Sequence, residues 1–208
     1  MDVTALKVKA EGFAAMHSAG KILVLANAWD VITARLFVDA EFSAIATTSG
    51  GVAFAQGYPD GERISRDEML AVVGAIASRI PVPLSADMEG GYGPAPEDVA
   101  ETVRRTIAAG AVGINIEDGT KEGPEPLVAF TLAVERIRAG REAADGLGVP
   151  MVINARTDGF HTAGGPDVLD EAVRRANAYR EAGAGCLFVP WARDRATIAE
   201  LVRQIDGP

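Results

Sequence analysis

The chain has 208 residues, of which 48% are hydrophobic and 24% charged, and its formal net charge is −9. This composition is typical of a globular protein and excludes an intrinsically disordered chain. The chain has no surplus of Lys and Arg to neutralise phosphates, which argues against nucleic acid and an anionic membrane as partners.

The sequence carries no sign of export or membrane insertion. Its N-terminal region mixes charged and apolar residues, and no apolar run approaches the roughly 18 residues that span a bilayer. The single cysteine, Cys186, cannot form an internal disulfide. We therefore expect a cytoplasmic protein.

Short apolar runs alternate with segments of helical spacing along the chain. The runs favour parallel strands buried on both faces, and they cover residues 22–26, 44–48, 82–86, 112–116, 150–155 and 186–189. The intervening helices are indicated by apolar spacing and by end signals. Ser65 and Glu68 form a capping-box pattern, and Pro96 stands where a first helical turn accepts proline.

The same tripeptide, Ala-Gly-Ala, ends two of these predicted helices, at 109–111 and 182–184. No linker interrupts the β-α repeat, so the sequence predicts one domain over residues 1–208. An α/β fold of the (β/α)8 barrel type is favoured over an open doubly wound sheet, because polar residues follow nearly every strand. Six β/α units are visible, so we expect C-terminal units of the barrel to be missing.

Charged residues follow three successive predicted strands: Asp87, Glu117 and Arg156. Together they predict a site for a hard cation beside an anion-binding arginine, because carboxylate oxygens suit Mg2+ and guanidinium suits carboxylates. Neighbouring acids such as Glu89 and Asp118 have a simpler interpretation, as caps of the following helices.

The sequence resembles the isocitrate lyase/phosphoenolpyruvate mutase superfamily. The resemblance rests on motifs in matching order: Asn27-Ala-Trp-Asp-Val-Ile-Thr-Ala-Arg35, Thr48-Ser-Gly-Gly51, Gly57-Tyr-Pro-Asp60, Asp87 with Gly90-Gly-Tyr-Gly93, Asn115-Ile-Glu-Asp118 and Ala155-Arg156. It covers all six visible units.

The resemblance implies a Mg2+-dependent lyase or mutase that acts on a small 2-oxo acid or carboxylate through an enolate of the pyruvate type. It implies a homo-oligomer, a dimer or a tetramer. The implied roles are Mg2+ binding by Asp87 and Glu117, and catalysis by Asp60 and Arg156. Substrate binding is implied for Ser49, Gly50, Gly51, Arg156 and Lys121.

Two departures point to a divergent, phosphonomutase-like member. Ser85 stands where many relatives carry the first acid of an Asp-x-Asp pair, and the segment after Glu117 lacks the cysteine of the lyase gating loop. Two alternatives stay open: a catalytically silent barrel that binds a small carboxylate, and a Schiff-base aldolase. The aldolase needs a lysine inside the barrel, and the predicted sixth strand has none.

Overall fold

The structure, a computed structural model, describes residues 3–120, 125–162 and 167–208. Six strands form one parallel sheet in this part of the chain. They are Ala26–Ala28 (β1), Ile45–Thr47 (β2), Leu84–Asp87 (β3), Gly113–Glu117 (β4), Val152–Arg156 (β5) and Cys186–Phe188 (β6).

Helices precede, separate and follow the strands. They are Val3–His17 (α1), Val31–Asp39 (α2), Ser49–Ala55 (α3), Arg66–Ala77 (α4), Pro96–Ala108 (α5), Phe130–Gly146 (α6), Gly159–Thr162 (α7), Val168–Glu181 (α8) and Arg195–Gln204 (α9). Within the described ranges, no helix is both long enough and apolar enough to cross a membrane.

The strand order distinguishes between the two candidate architectures. Each strand pairs with its sequence neighbour, in the order β1-β2-β3-β4-β5-β6. A doubly wound sheet reverses its strand order at a switch point, and no reversal is found between these six strands. Sequential parallel order with intervening helices is the arrangement of a (β/α) barrel, which confirms the predicted fold class.

The predicted helix ends are confirmed. Ser65 and Glu68 cap α4 reciprocally, and Pro96 is the first residue of α5. Gly110 and Gly183 have φ of +98° and +104°, the left-handed conformation that ends α5 and α8. A side chain at Gly183 would also collide with Arg141, since its Cβ would lie 2.5 Å from Cγ of Arg141.

The first strand begins later than predicted. The apolar run 22–26 suggested a buried strand, yet Ile22 is 93% exposed and β1 starts at Ala26. The strand starts there because its pairing with β2 begins at Ala26, which is level with Ile45. The apolar spacing that indicated α2 does not mark a buried face either, since Ile32 and Leu36 are exposed and Ala34 is the buried residue of that helix.

The core lies between the sheet and its helices and is built from aliphatic side chains. Helix α1 packs at the amino end of β4 through the buried Phe13. A Cβ on Gly113, the first residue of β4, would lie only 2.6 Å from Cε1 of Phe13. Apolar packing thus fills this end, while polar side chains gather at the carboxyl ends of the strands.

Candidate active site

A cavity of about 660 Å³ lies at the carboxyl ends of the strands. The polar and charged residues that line it are Asn27, Thr47, Thr48, Ser49, Asp60, Ser85, Asp87, Asn115, Asn154 and Arg156. Of the residues implied by the resemblance, Ser49, Gly50, Asp60, Asp87 and Arg156 line the cavity. Gly51 and Glu117 lie outside its lining, and Lys121 falls outside the described residues.

Strand register arranges the interior side chains in two layers. Asp87 is level with Asn115, Asn115 with Asn154, and Asn154 with Cys186, and we call these four residues the lower layer. Two residues further along the strands, Glu117 is level with Arg156 and Arg156 with Phe188, which form the upper layer. Successive strand residues alternate between faces, so both layers point to the same side of the sheet.

Asp87 is the anchor of the lower layer. Its Oδ2 accepts a hydrogen bond of 2.9 Å from the Ser49 backbone N–H, and its own N–H donates to Oγ1 of Thr47 at 2.8 Å. Its Oδ1 accepts from Nδ2 of Asn115 at 3.0 Å and from the Glu89 N–H at 3.4 Å. Asp87 therefore fixes the end of β2 and the start of α3 relative to β3.

A relay of amide side chains extends from Asp87 across β4 and β5. Asp87 is an acceptor only, so Asn115 must turn its NH2 group to it and its oxygen away. Oδ1 of Asn115 then accepts from Nδ2 of Asn154 at 3.0 Å. The polarity of the relay leaves Oδ1 of Asn154 as the terminal acceptor, and this buried atom has no hydrogen-bond partner in the described part of the chain.

Arg156 dominates the upper layer. Its Nη1 lies 3.0 Å from Oε2 of the buried Glu117, and both Nε and Nη2 lie 2.7 Å from Oδ1 of Asp158. Burial alone would lower the pKa of Arg156, but the adjacent carboxylates of Glu117 and Asp158 outweigh burial and raise it. These contacts use three of five N–H donors, so two remain for a ligand in the cavity.

Asp118 and Glu89 do not cap helices. The buried Asp118 accepts hydrogen bonds from the Tyr179 hydroxyl at 2.6 Å, from Nη1 of Arg175 at 3.2 Å and from the Asp158 N–H at 2.9 Å. Glu89 is buried as well and accepts from the backbone N–H of Glu62. The two acids are interior acceptors that hold the loops after β3 and β4.

The segment Ser49 to Gly51 retains fewer free donors than the resemblance implied. The Ser49 N–H is bonded to Asp87, and the Gly51 N–H points to Oγ1 of Thr48 at 3.4 Å. The Ser49 hydroxyl and the Gly50 N–H remain as donors at the cavity wall. Asp60 lies against this wall, since a Cβ on Gly50 would be 3.1 Å from Oδ2 of Asp60.

The donor set suits a magnesium ion that keeps much of its water. Such an ion typically binds through one or two carboxylates and retains several waters. Asp87 offers one carboxylate with one of its roughly four acceptor positions unused, and the buried Oδ1 of Asn154 is an unsatisfied oxygen at the same level. Among the described residues, no three His, Cys, Asp or Glu side chains form a metal-binding group.

Aromatic and thiol groups complete the walls. Trp191 lines the cavity and stacks on His161 with ring centroids 4.8 Å apart. Cys186 lies in β6 as predicted and also lines the cavity, and burial raises the pKa of its thiol.

Asn115 and Asn154 line the cavity, and the sequence analysis did not propose a role for either of them. A signal for them exists, because Ser85-Ala-Asp87, Asn115-Ile-Glu117 and Asn154-Ala-Arg156 repeat one pattern of polar, apolar and charged residues on three successive strands. With the period of two of a strand, the polar residue shares a face with the charged one.

Comparison with known proteins identifies the relatives of this chain. The sequence profile described as "Phosphoenolpyruvate phosphomutase" matches residues 13–208. The 2-methylisocitrate lyase of Escherichia coli is 39% identical over 154 residues, which are 72% of this chain and 51% of that enzyme. The chain thus spans about half the length of that lyase.

Solved structures agree in fold. A crystal structure of a Burkholderia cenocepacia protein has a TM-score of 0.91 and 44% identity, covering 96% of this chain and 82% of that one. A phosphonopyruvate hydrolase in complex with oxalate and Mg2+ has a TM-score of 0.86 and 28% identity, covering 96% of this chain and 69% of that one.

Proposed function

The chain belongs to the phosphoenolpyruvate phosphomutase family, and from that premise we propose that it is a Mg2+-dependent lyase or mutase-like enzyme. The reaction cleaves or forms a C–C or P–C bond of a small 2-oxo acid or related carboxylate, through an enolate of the pyruvate type. The relatives named above act on carboxylates of this size, and the cavity carries groups of the required chemistry.

The observation that carries the proposal is the pairing state of Arg156. Two carboxylates hold the guanidinium at the cavity, and two of its N–H donors stay available. An arginine fixed in this way binds a carboxylate or phosphonate with defined orientation. The Ser49 hydroxyl and the Gly50 N–H lie on the same cavity and supply donors for a second anionic oxygen.

Asp87 would hold the magnesium ion, and Glu117 would reach it through water. Magnesium, when bound, supplies positive charge that stabilises the negative charge developing on the substrate oxygen. Asp60 lies beside Gly50, and its Oδ2 would take the proton that a substrate hydroxyl loses when a C–C bond breaks and return it when the bond forms. Asn115 and the Ser49 N–H keep Asp87 oriented, so little reorganisation is needed during the reaction.

The test is turnover of a substrate panel, with 2-methylisocitrate, 2,3-dimethylmalate, oxaloacetate and phosphonopyruvate as members. Products are followed by proton and phosphorus NMR with and without Mg2+. We expect at least one substrate to be converted, and D87A to lower kcat by about 100-fold or more, as loss of a group that stabilises developing charge does. The matched control is D39A, which removes an exposed carboxylate at the end of α2. Turnover that persists in D87A would contradict the proposal.

The silent carboxylate-binding barrel remains a second candidate, favoured by the pairing of Glu117 with Arg156. It predicts that oxalate binds to the wild type in calorimetry while no member of the panel is converted. A Schiff-base aldolase has less support, because none of the described residues lining the cavity is a lysine.

We also propose that residues 1–208 belong to one barrel domain and that the chain assembles as a dimer or tetramer. The unbroken strand order supports the first part. The exposed apolar side chains of α2, Ile32 and Leu36, support the second, because monomers seldom leave such a face uncovered. Light scattering after size-exclusion chromatography measures the assembly.

A further inference from the structure

The loop between α3 and α4 carries Asp60 to the cavity at the carboxyl ends of the strands. No hydrogen bond or ion pair of the Asp60 side chain is found in the described part of the chain. Its placement therefore depends on the backbone on either side. On the amino side, the Tyr58 N–H donates to the carbonyl oxygen of Ala53 at 2.9 Å. On the carboxyl side, Glu62 is held two residues away from Asp60.

Two hydrogen bonds join Glu62 to the loop that follows β3. The Glu62 N–H donates to Oε2 of Glu89 at 2.8 Å, and Oε1 of Glu62 accepts from the Tyr92 N–H at 3.0 Å. One bond uses the backbone of Glu62 and the other its side chain, so both its position and its orientation are set. Glu89 is 1% exposed, so water does not compete for its carboxylate. We call these three residues the loop clamp.

A buried arginine of α6 supports the loop clamp. Nη2 of Arg136 donates to the carbonyl oxygens of Gly90 and Gly93. A Cβ on Gly90 would lie 3.1 Å from Oε1 of Glu62 and 3.6 Å from Nη2 of Arg136, so the carboxylate and the guanidinium both approach this glycine. Burial lowers the pKa of Arg136, and the negative charge of Glu62 opposes that effect. Arg136 thus stabilises Glu62 in the clamp and fixes the loop that carries Glu89.

The backbone of the loop clamp is strained. Glu62, Glu89 and Tyr92 have φ of +58°, +50° and +60°, the left-handed conformation that residues with a Cβ rarely adopt. Five residues other than glycine have a positive φ in the described ranges, and three of them form the clamp. Such strain persists only where the surrounding contacts enforce it, and it concentrates at functional sites. The clamp contacts therefore determine the geometry of the two loops.

We infer that Glu62 and Glu89 are positioning residues, which act on the reaction by placing the carboxylate of Asp60 at the cavity. The inference rests on the function proposed above, in which Oδ2 of Asp60 exchanges a proton with the substrate. Neither glutamate lines the cavity, so both act without contacting a substrate bound there. Glu89 holds the Glu62 N–H, and Gly61 alone separates Glu62 from Asp60 in sequence.

Steady-state kinetics on a converted substrate test the inference. E89A removes the acceptor of the Glu62 N–H, so kcat should fall about 10- to 100-fold, as expected when a reacting group is misplaced. KM should change little, because Arg156 and the Gly50 N–H bind the substrate anion. E89Q keeps an oxygen acceptor and should restore most of the activity. If E89Q is as slow as E89A, the charge of Glu89 matters and the inference is overturned.

A double-variant cycle shows whether Glu89 acts through Asp60. In D60N the proton-transferring carboxylate is gone, so adding E89A should lower kcat no further. A further loss as large as that of E89A in the wild type would overturn the inference. The matched control is E41A, which removes an exposed glutamate that also has a left-handed φ, +65°, and should leave kcat unchanged.

Amide hydrogen exchange separates failure of the inference from failure of the proposed function, because it needs no turnover. Faster exchange of residues 58–64 in E89A than in the wild type, with α4 unchanged, supports the inference. Equal exchange overturns it, whether or not a substrate is converted. Circular dichroism establishes that each variant is folded. If E89A is not, E62A carries both measurements, because it removes the acceptor of the Tyr92 N–H, and E62Q is its conservative partner.

Discussion

The lower and upper layers each stabilise a carboxylate, but they do so with different chemistry. The lower layer holds one carboxylate, Asp87, with amide and backbone dipoles, whereas the upper layer holds Glu117 against the charge of Arg156. A network of dipoles can lose a member and keep its charge balance. A network of buried charges cannot keep its charge balance in this way, because the removal of one charged group leaves the opposite charge uncompensated. The comparison predicts that the upper layer is the more fragile.

The largest effect is expected from R156M. The change removes the guanidinium that contacts the buried Glu117 and Asp158, and the free energy of unfolding should fall by about 3–5 kcal/mol. Urea denaturation at neutral pH measures it. The control R35M alters an exposed arginine of α2 and should stay within about 0.5 kcal/mol of the wild type. A loss of stability no greater than that of R35M would contradict the prediction that the upper layer is the more fragile.

A smaller effect is expected from N115L and N154L in the lower layer. Each change leaves one amide partner unsatisfied and should cost about 1–3 kcal/mol. The double variant removes both amides, so its cost should be smaller than the sum of the single costs by at least about 0.5 kcal/mol. Urea denaturation of all three variants forms the cycle. Additive costs would show that the two asparagines do not act as one relay.

The smallest effect concerns Cys186, the fourth member of the lower layer. Burial raises the pKa of its thiol above the value of about 8.5 in an unfolded chain. The folded state then holds the proton more tightly, so this stabilisation is complete below pH 8.5 and is lost as the pH rises through the folded pKa. Between pH 8 and 10 the free energy of unfolding should therefore fall more for the wild type than for C186A.

Thermal or urea unfolding across that pH range makes the comparison, because every other titrating group is common to the two proteins. Parallel stability curves for wild type and C186A would show that the thiol titrates alike in the folded and unfolded states. That result would contradict the expectation that burial raises the pKa of the Cys186 thiol.

The sequence predicted the barrel class, the helix caps and the charged ends of three strands, because each depends on local pattern. Ser65 and Glu68 are three residues apart, and Asp87, Glu117 and Arg156 follow recognisable apolar runs. Asn115 and Asn154 were not predicted, because their role depends on hydrogen-bond partners in neighbouring strands. They act through register between strands 39 residues apart, which no local window contains.

The predicted start of β1 was wrong for a related reason. Residues 22–25 are as apolar as a buried strand, but a strand exists only where a neighbour offers hydrogen bonds, and that begins opposite Ile45. Similarly, the free donors of the Ser49 to Gly51 segment could not be counted from sequence, because Asp87 and Thr48 occupy two of them in three dimensions.

The hydrogen bond between Asp87 and the Ser49 N–H has an evolutionary consequence. It joins a residue proposed to hold the metal to the segment proposed to receive the substrate anion. Because the donor is a main-chain N–H, position 49 can take another side chain without losing this bond, whereas position 87 must keep an acceptor. Ser85 lies two residues before Asp87 in β3 and makes none of the hydrogen bonds described for Asp87. Divergence among relatives is therefore easier at position 85 than at position 87.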